Sequence, residues 1–211
     1  MSDQACDCCR STTVRTTEPA SHDRWLVGRP VRDAPLPQAV GRNVGRLLGE
    51  EPVDTLAGFV VAIRDATGGG SLAVDDLCHA ATETPHRAAM DGEGYFFQCF
   101  YDGVALAHLA DESVEIRTES PAGEPVEMRA SPDGTVDVTP PDAAVSFGVA
   151  ADGDAPRSAD PTPEEVYGAI CPYVKAFPSR EAYDRWAESI DVATVGLPLA
   201  AGVPIAAALA E

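Results

Sequence analysis

Hydrophobic positions step along this chain in two rhythms. Between residues 37 and 90 the step is helical. Val40, Val44, Leu47 and Leu48 recur every three to four residues, as on one face of an amphipathic helix. A second helix is predicted from about Val53 to Asp65, with Leu56, Phe59, Val60 and Ile63 inward and Gly68-Gly69-Gly70 ending it. Ser71 precedes a third helical piece, Val74 to Ala81. Tyr95 to Ala110 then predicts a buried helix starting near Cys99, carrying Val104, Leu106 and Leu109. Beyond it the rhythm changes to alternation. Val114-Glu115-Ile116-Arg117 and Val126-Glu127-Met128-Arg129 predict two strands across a Pro121-Ala122-Gly123-Glu124 turn. Val136-Asp137-Val138 and Val145 to Val149 predict two more, and the order suggests one antiparallel meander.

After a loop from Asp152 to Pro163, Thr162-Pro163-Glu164-Glu165 has the form of a capping box with proline at the first helical position. That helix is expected to end near Ala169, with a short strand from Cys171 to Ala176. Ser179 caps a helix that turns Tyr183, Trp186 and Ile190 inward. Val192 to Glu211 predicts a strand and an alanine-rich helix broken near Pro204. The fold class is therefore α+β: three short helices and a wing, winged-helix-like, then an antiparallel β-sheet with flanking helices. The expected organisation is a disordered tail over residues 1–30, the helical unit over 31–90 and a second domain over 91–211.

Composition narrows the partners. Of 211 residues 34 are acidic and 15 basic, a net charge of −19, and Lys175 is the sole lysine. Such a chain suits a high-salt, halophile-like setting, although a simple solvated acidic surface explains it more economically. The charge weighs against nucleic-acid binding, including a DNA-reading use of the winged-helix-like unit. No apolar run is long enough to span a bilayer, and the N-terminus lacks the order of a secretory signal, so a cytoplasmic location and no membrane partner are expected.

Six cysteines remain: Cys6, Cys8, Cys9, Cys78, Cys99 and Cys171. They lack the paired spacing of a structural zinc site, and a cytoplasmic setting keeps them reduced. Cys99 and Asp102 stand three apart, on one face if the segment is helical. In a first helical turn the dipole would favour the Cys99 thiolate, and a carboxyl group in an apolar stretch needs a partner or a raised pKa. Each residue also has a plain packing interpretation, and spacing cannot derive a meeting of Cys99 with Cys171, 69 residues beyond Asp102. Cys78-His79, adjacent on the predicted third helix, would diverge by about 100° and make a poor chelate, so packing is expected for them.

Three segments resemble one family. Phe96-Phe97-Gln98-Cys99-Phe100-Tyr101-Asp102-Gly103-Val104-Ala105-Leu106 is similar to the active-site helix of the organomercurial lyases (alkylmercury lyases), with its Cys-x-x-Asp after aromatic residues. Val114-Glu115-Ile116 through Gly123-Glu124-Pro125-Val126 resembles their following hairpin. Cys171-Pro172-Tyr173-Val174-Lys175-Ala176-Phe177-Pro178-Ser179 resembles the segment bearing their second catalytic cysteine, with Trp186 in register. Gln98, Pro172 and Glu119 depart from the family pattern and bear on substrate preference.

The resemblance implies an enzyme that cleaves the carbon–mercury bond by protonolysis, in mercury detoxification. Cys99 and Cys171 would bind mercury, in either order, and Asp102 would be proton carrier. It implies an organomercurial small-molecule substrate, no organic cofactor, external thiols for turnover, and a mercuric reductase as Hg(II) acceptor. Cys6, Cys8 and Cys9 stand outside the family pattern and are either accessory Hg(II) ligands or incidental thiols of the tail. The competing expectation is a non-enzymatic thiol protein that binds or senses Hg(II) or Cu(I) on the same fold.

Overall fold

The computed structural model describes residues 24–27, 30–150 and 161–210. The expected tail with Cys6, Cys8 and Cys9, and most of the loop after Asp152, lie outside these residues. The first helix, α1 (Gln38–Leu48), buries Val40, Val44, Leu47 and Leu48 as its spacing predicts. Gly49 ends it in the left-handed region at φ 70°. A Cβ on Gly41 would stand 2.1 Å from the Val53 carbonyl oxygen, so the returning loop packs directly on the helix backbone. The second helix, α2 (Leu56–Ala66), starts later than expected because the Thr55 hydroxyl accepts the Gly58 N–H at 3.1 Å and fixes the N-cap there.

The third helical piece is reduced to a 3-10 turn, Val74–Asp76. The Asp76 carboxylate accepts the Ala73 N–H at 2.8 Å and closes the turn on itself. The chain then runs extended: Ala80 N–H donates to the Phe96 carbonyl at 2.7 Å, Gln98 N–H to the Cys78 carbonyl at 2.9 Å, and His79 bridges Phe97. Sheet-like pairing to a distant segment has replaced local helix bonds.

Two strands follow that the apolar rhythm does not predict, β1 (Arg87–Met90) and β2 (Glu93–Phe96). They meet in a hairpin over Asp91-Gly92, both at positive φ (52° and 80°), the backbone that a two-residue Asp-Gly turn favours. This hairpin joins β3 (Val114–Glu119), β4 (Pro125–Ala130) and β5 (Val136–Thr139) in one antiparallel sheet of order β2-β1-β3-β4-β5. Burial alternates strictly along β3 and β4, as one face turned to water requires.

The expected meander ends at β5. The next strand, β6 (Ala144–Val149), is buried at all six positions and is the centre of a second antiparallel sheet, between β7 (Ala176–Phe177) and β8 (Ala193–Pro198). A strand covered on both faces cannot extend a sheet with one wet face, and Ala-Val-Ser-Phe-Gly-Val offers no alternation to suit one. Five of the helices cover this sheet or link it to the first: α1, α3 (Phe100–Leu109), α4 (Pro163–Ile170), α5 (Arg180–Ser189) and α6 (Leu199–Ala210). α6 runs on through Pro204 instead of breaking there; its apolar residues Ile205, Ala206 and Ala210 are buried, and that packing outweighs the one lost helical bond. One continuous apolar core joins α1, α2, α3, β3, β6, β8 and α6. The architecture is α+β, with two antiparallel sheets.

Candidate active site

Cys99 occupies the N-cap of α3 rather than its first turn, with extended backbone at φ −133° and ψ 138°. Asp102 is then the third residue of the helix. N-cap and third-position side chains converge in a capping box, so Cys-x-x-Asp places thiol and carboxyl where serine and glutamate ordinarily stand. The Cys99 side chain makes no capping hydrogen bond, which leaves its sulfur for another partner. Gly103 lets the helix sit close on the first sheet, since a Cβ there would come within 3.2 Å of Ile116. At the far side the Tyr101 hydroxyl donates to the Gly202 carbonyl and ties α3 to α6.

Cys171 caps the C-terminus of α4. The strand expected from Cys171 is a 3-10 turn, Cys171–Tyr173, and only Ala176–Phe177 pairs as strand. Pro172 has no N–H with which to extend the α4 ladder, and a carbonyl of the turn is captured from the sheet. The buried Ser146 hydroxyl on β6 donates to the Tyr173 carbonyl at 2.7 Å and accepts the Lys175 N–H at 3.2 Å, while Ser146 N–H donates to the Lys175 carbonyl at 2.9 Å. A polar residue at the centre of the buried sheet thus pins the segment that presents Cys171. Its sequence signal is a lone serine inside an apolar strand.

Cys99 and Cys171 share a hydrogen bond between their side chains. That bond, together with burial and the Asp102 charge, pushes the Cys99 thiol well above the ordinary cysteine range. The same bond draws the Cys171 thiol down, with a smaller pull from Lys175; burial and Asp102 oppose it. Of the two, Cys171 is therefore the sulfur whose ionised form is favoured, with Cys99 as the S–H donor. The helix-dipole expectation for a Cys99 thiolate is overturned, because Cys99 is almost completely buried beside another sulfur and a carboxylate. Burial raises the Asp102 carboxyl from the usual aspartate range to about 6, against the Cys78 amide and the His79 side chain, which favour its ionised form.

Cys78 is the residue that sequence reasoning placed wrongly. On a helix it would have been a packing residue; extended, it lies against the start of α3, and its N–H donates to Asp102 Oδ1 at 3.4 Å. Burial, then the charges of Asp102 and Cys171, push its thiol up to about 11. Cys78, Cys99, Asp102 and Cys171 line one cavity of about 110 Å³, whose remaining wall is mostly apolar: Phe59, Ile63, Leu72, Tyr101, Phe147 and Leu209 among others. Phe147 meets Tyr101 edge to face at 5.3 Å and Phe59 at 6.1 Å. Among the described residues, no three His, Cys, Asp or Glu side chains are already gathered to hold a metal ion.

The family model for alkylmercury lyase (MerB) matches residues 79–211, more than half of the chain. The chain belongs to the alkylmercury lyase family. It is thus an organomercurial lyase by family, an enzyme of carbon–mercury bond cleavage. The match spans Cys99, Asp102 and Cys171 and begins one residue after Cys78. A solved structure described as the mercury-bound form of MerB2 is similar at 17% identity, covering 82% of this chain and 98% of that one, with a TM-score of 0.46. No curated protein sequence matches. Among the described residues of this alkylmercury lyase, no helix is long and apolar enough to cross a membrane.

Proposed function

We propose that Cys171, Cys99 and Asp102 perform the protonolysis, in that order of action. The observation that carries the assignment is their convergence: two hydrogen-bonded thiols and one desolvated carboxyl group at the wall of an apolar cavity. The substrate is an organomercury cation R–Hg⁺ delivered as the adduct of a small thiol. Cys171, the more ionised sulfur, displaces that thiol and binds mercury; soft thiolate suits this soft metal. Cys99 then adds as second sulfur and gives its proton to the Asp102 carboxylate. With two sulfurs donating, electron density shifts toward the mercury-bound carbon. Asp102 returns the proton to that carbon, the Hg–C pair of electrons forms the C–H bond, and R–H leaves. Hg(II) stays between Cys99 and Cys171, and Asp102 is again a carboxylate.

The environment suits each step. A carboxyl group with a pKa near 6 is ionised enough to accept a proton at neutral pH and, being desolvated, returns it readily. The aromatic and aliphatic wall accommodates the hydrocarbon part and excludes competing water. No organic cofactor takes part; external thiols carry substrate in and product out, and a mercuric reductase is the proposed acceptor of Hg(II). The cytoplasm, where thiols stay reduced, is the proposed location.

The test is methane release from methylmercury in excess thiol, comparing wild type with Asp102→Asn and Cys171→Ala. Turnover in wild type and a loss of about 10²–10⁴-fold in Asp102→Asn is expected, the range of a removed general acid. Folded wild type that binds mercury and releases no methane would sink the assignment in favour of simple metal binding.

A further inference from the structure

The protonolysis uses two of the three thiols that line the cavity, and the third is held against the proton carrier. Cys78 stands on the extended stretch after the Val74–Asp76 turn, and its main-chain N–H is bonded to the very carboxylate that has just given up a proton. Gln98 N–H to the Cys78 carbonyl at 2.9 Å anchors the same residue from its other side, one position before Cys99. The backbone of Cys78 is therefore fixed at both ends of the residue, and rotation about its Cα–Cβ bond is the freedom left to bring its sulfur toward the metal.

We propose that Cys78 is the third sulfur ligand of the product, converting the two-coordinate Hg(II) left by cleavage into a Hg(II) trithiolate. The inference rests on the cleavage assignment above for how the metal arrives. In the step, the Cys78 S–H bond breaks and its proton passes to the Asp102 carboxylate. The freed sulfur lone pair forms a bond to Hg(II), and the Cys99 and Cys171 bonds to mercury persist. The complex gains one negative charge as Asp102 loses one, so charge balances, and no oxidant or reductant is needed. The step also returns Asp102 to its protonated state. Hg(II) accepts three thiolates as readily as the ligand set supplies them, being soft and without a rigid geometric demand. A third sulfur holds the toxic product until an incoming thiol displaces one of the three, so Cys78 governs release rather than cleavage. Because no three donors are gathered beforehand among the described residues, the trithiolate forms only once mercury is present.

The experiment uses the full chain with Cys6→Ser, Cys8→Ser and Cys9→Ser, leaving Cys78, Cys99 and Cys171 as its only thiols. The chain is kept reduced with a phosphine in thiol-free buffer. One equivalent of mercuric ion is added directly, and in a parallel sample with excess small thiol methylmercury is added and methane is measured. X-ray absorption at mercury counts the sulfur neighbours. Three sulfurs are expected, falling to two with Cys78→Ser, together with about tenfold faster loss of Hg(II) to a competing thiol. Since the metal-free bond to Asp102 comes from the backbone of residue 78, serine leaves it in place. Should Cys78→Ser fail to fold, the count in the parent still decides, because three sulfurs from three thiols require Cys78. Two sulfurs in the parent would overturn the proposal whether or not methane is released. Three sulfurs without methane would uphold it and remove the cleavage assignment instead.

Discussion

The two sheets of this protein obey different rules. In the five-stranded sheet, burial alternates residue by residue along β3 and β4, and the wet face carries charge pairs such as Arg129–Glu115 and Arg117–Glu127, both at 3.3 Å. In the three-stranded sheet the central strand is buried throughout, and its polar atoms are committed to holding other segments in place. The first sheet is a support that tolerates change on its outer face. The second is a clamp: Ser146 positions the Cys171 turn, and Gly148 lies under Tyr173 of the same turn. The candidate site lies where the backbone is held from both sides, as a constellation of thiols and a carboxyl group that must not shift requires.

The comparison breaks most visibly at Gly148. A Cβ there would stand 2.7 Å from Thr194 Cγ2 and 2.8 Å from Tyr173 Cβ. Gly148→Val should cost roughly 3 kcal/mol or more by overpacking, read as a fall in the urea midpoint, and should displace Cys171. A variant of unchanged midpoint would show that this sheet is as yielding as the other.

Asp102 sharpens the contrast through pH. Its folded pKa, about 6, lies above the ordinary 3.8, so folding favours the protonated acid. The stability this contributes is fully present below about pH 3.8 and is lost as pH rises through about 6. An asparagine side chain is neutral at every pH and keeps an acceptor for the Cys78 amide. Asp102→Asn should therefore be more stable than wild type by about 2 kcal/mol at pH 8, with the advantage shrinking toward about pH 4.5. Equal midpoints at pH 8 would mean that the carboxylate is not penalised by its surroundings.

A smaller effect is expected at Ser146. Ser146→Ala leaves the half-buried Lys175 N–H and Tyr173 carbonyl short of a partner and should cost about 1–2 kcal/mol. Methane release should fall with it, and a loss of stability alone would show that the turn holds Cys171 unaided. The smallest effect is expected on the wet face of the first sheet. Glu115→Ala should shift stability by no more than about 0.5 kcal/mol, since its partner Arg129 is more than half exposed. A larger shift would place that face among the structural elements and undo the contrast.

Legibility in the sequence followed the same division. The helices α1, α2, α4 and α5 and the strands β3, β4 and β5 were readable because their signals are local: apolar spacing, a capping threonine or serine, a glycine turn. The β1–β2 hairpin also has a local signal, the Asp91-Gly92 turn, but its flanking strands carry no apolar alternation. The structure departs from the expected Val74–Ala81 helix and Cys171–Ala176 strand for a different reason. In each, a backbone group found its partner far along the chain, Cys78 and Ala80 with residues 96–98 and Lys175 with Ser146, and tertiary pairing outweighed propensity. At the candidate site, Cys99 and Asp102 could be linked by their spacing, although the capping geometry and the ionisation order of the two thiols could not. Cys78 is illegible there, because its place at the site depends on extended pairing with residues 96–98 that no local signal announces.

The sequence by itself determined that this chain is α+β, where most elements begin and end, and that Cys99 and Asp102 stand close together, since all of these follow from contacts within a few residues. Its family resemblance placed Cys171 with them by analogy. Only the tertiary structure decided that Cys171, 72 positions from Cys99, meets it in an apolar cavity, that ionisation is favoured at Cys171 over Cys99, and that Cys78 lines the same cavity. The physical reason is that ionisation and metal chemistry depend on desolvation and on neighbours brought from distant segments. Those exist only once β6 is buried between its partners and the helices close over it.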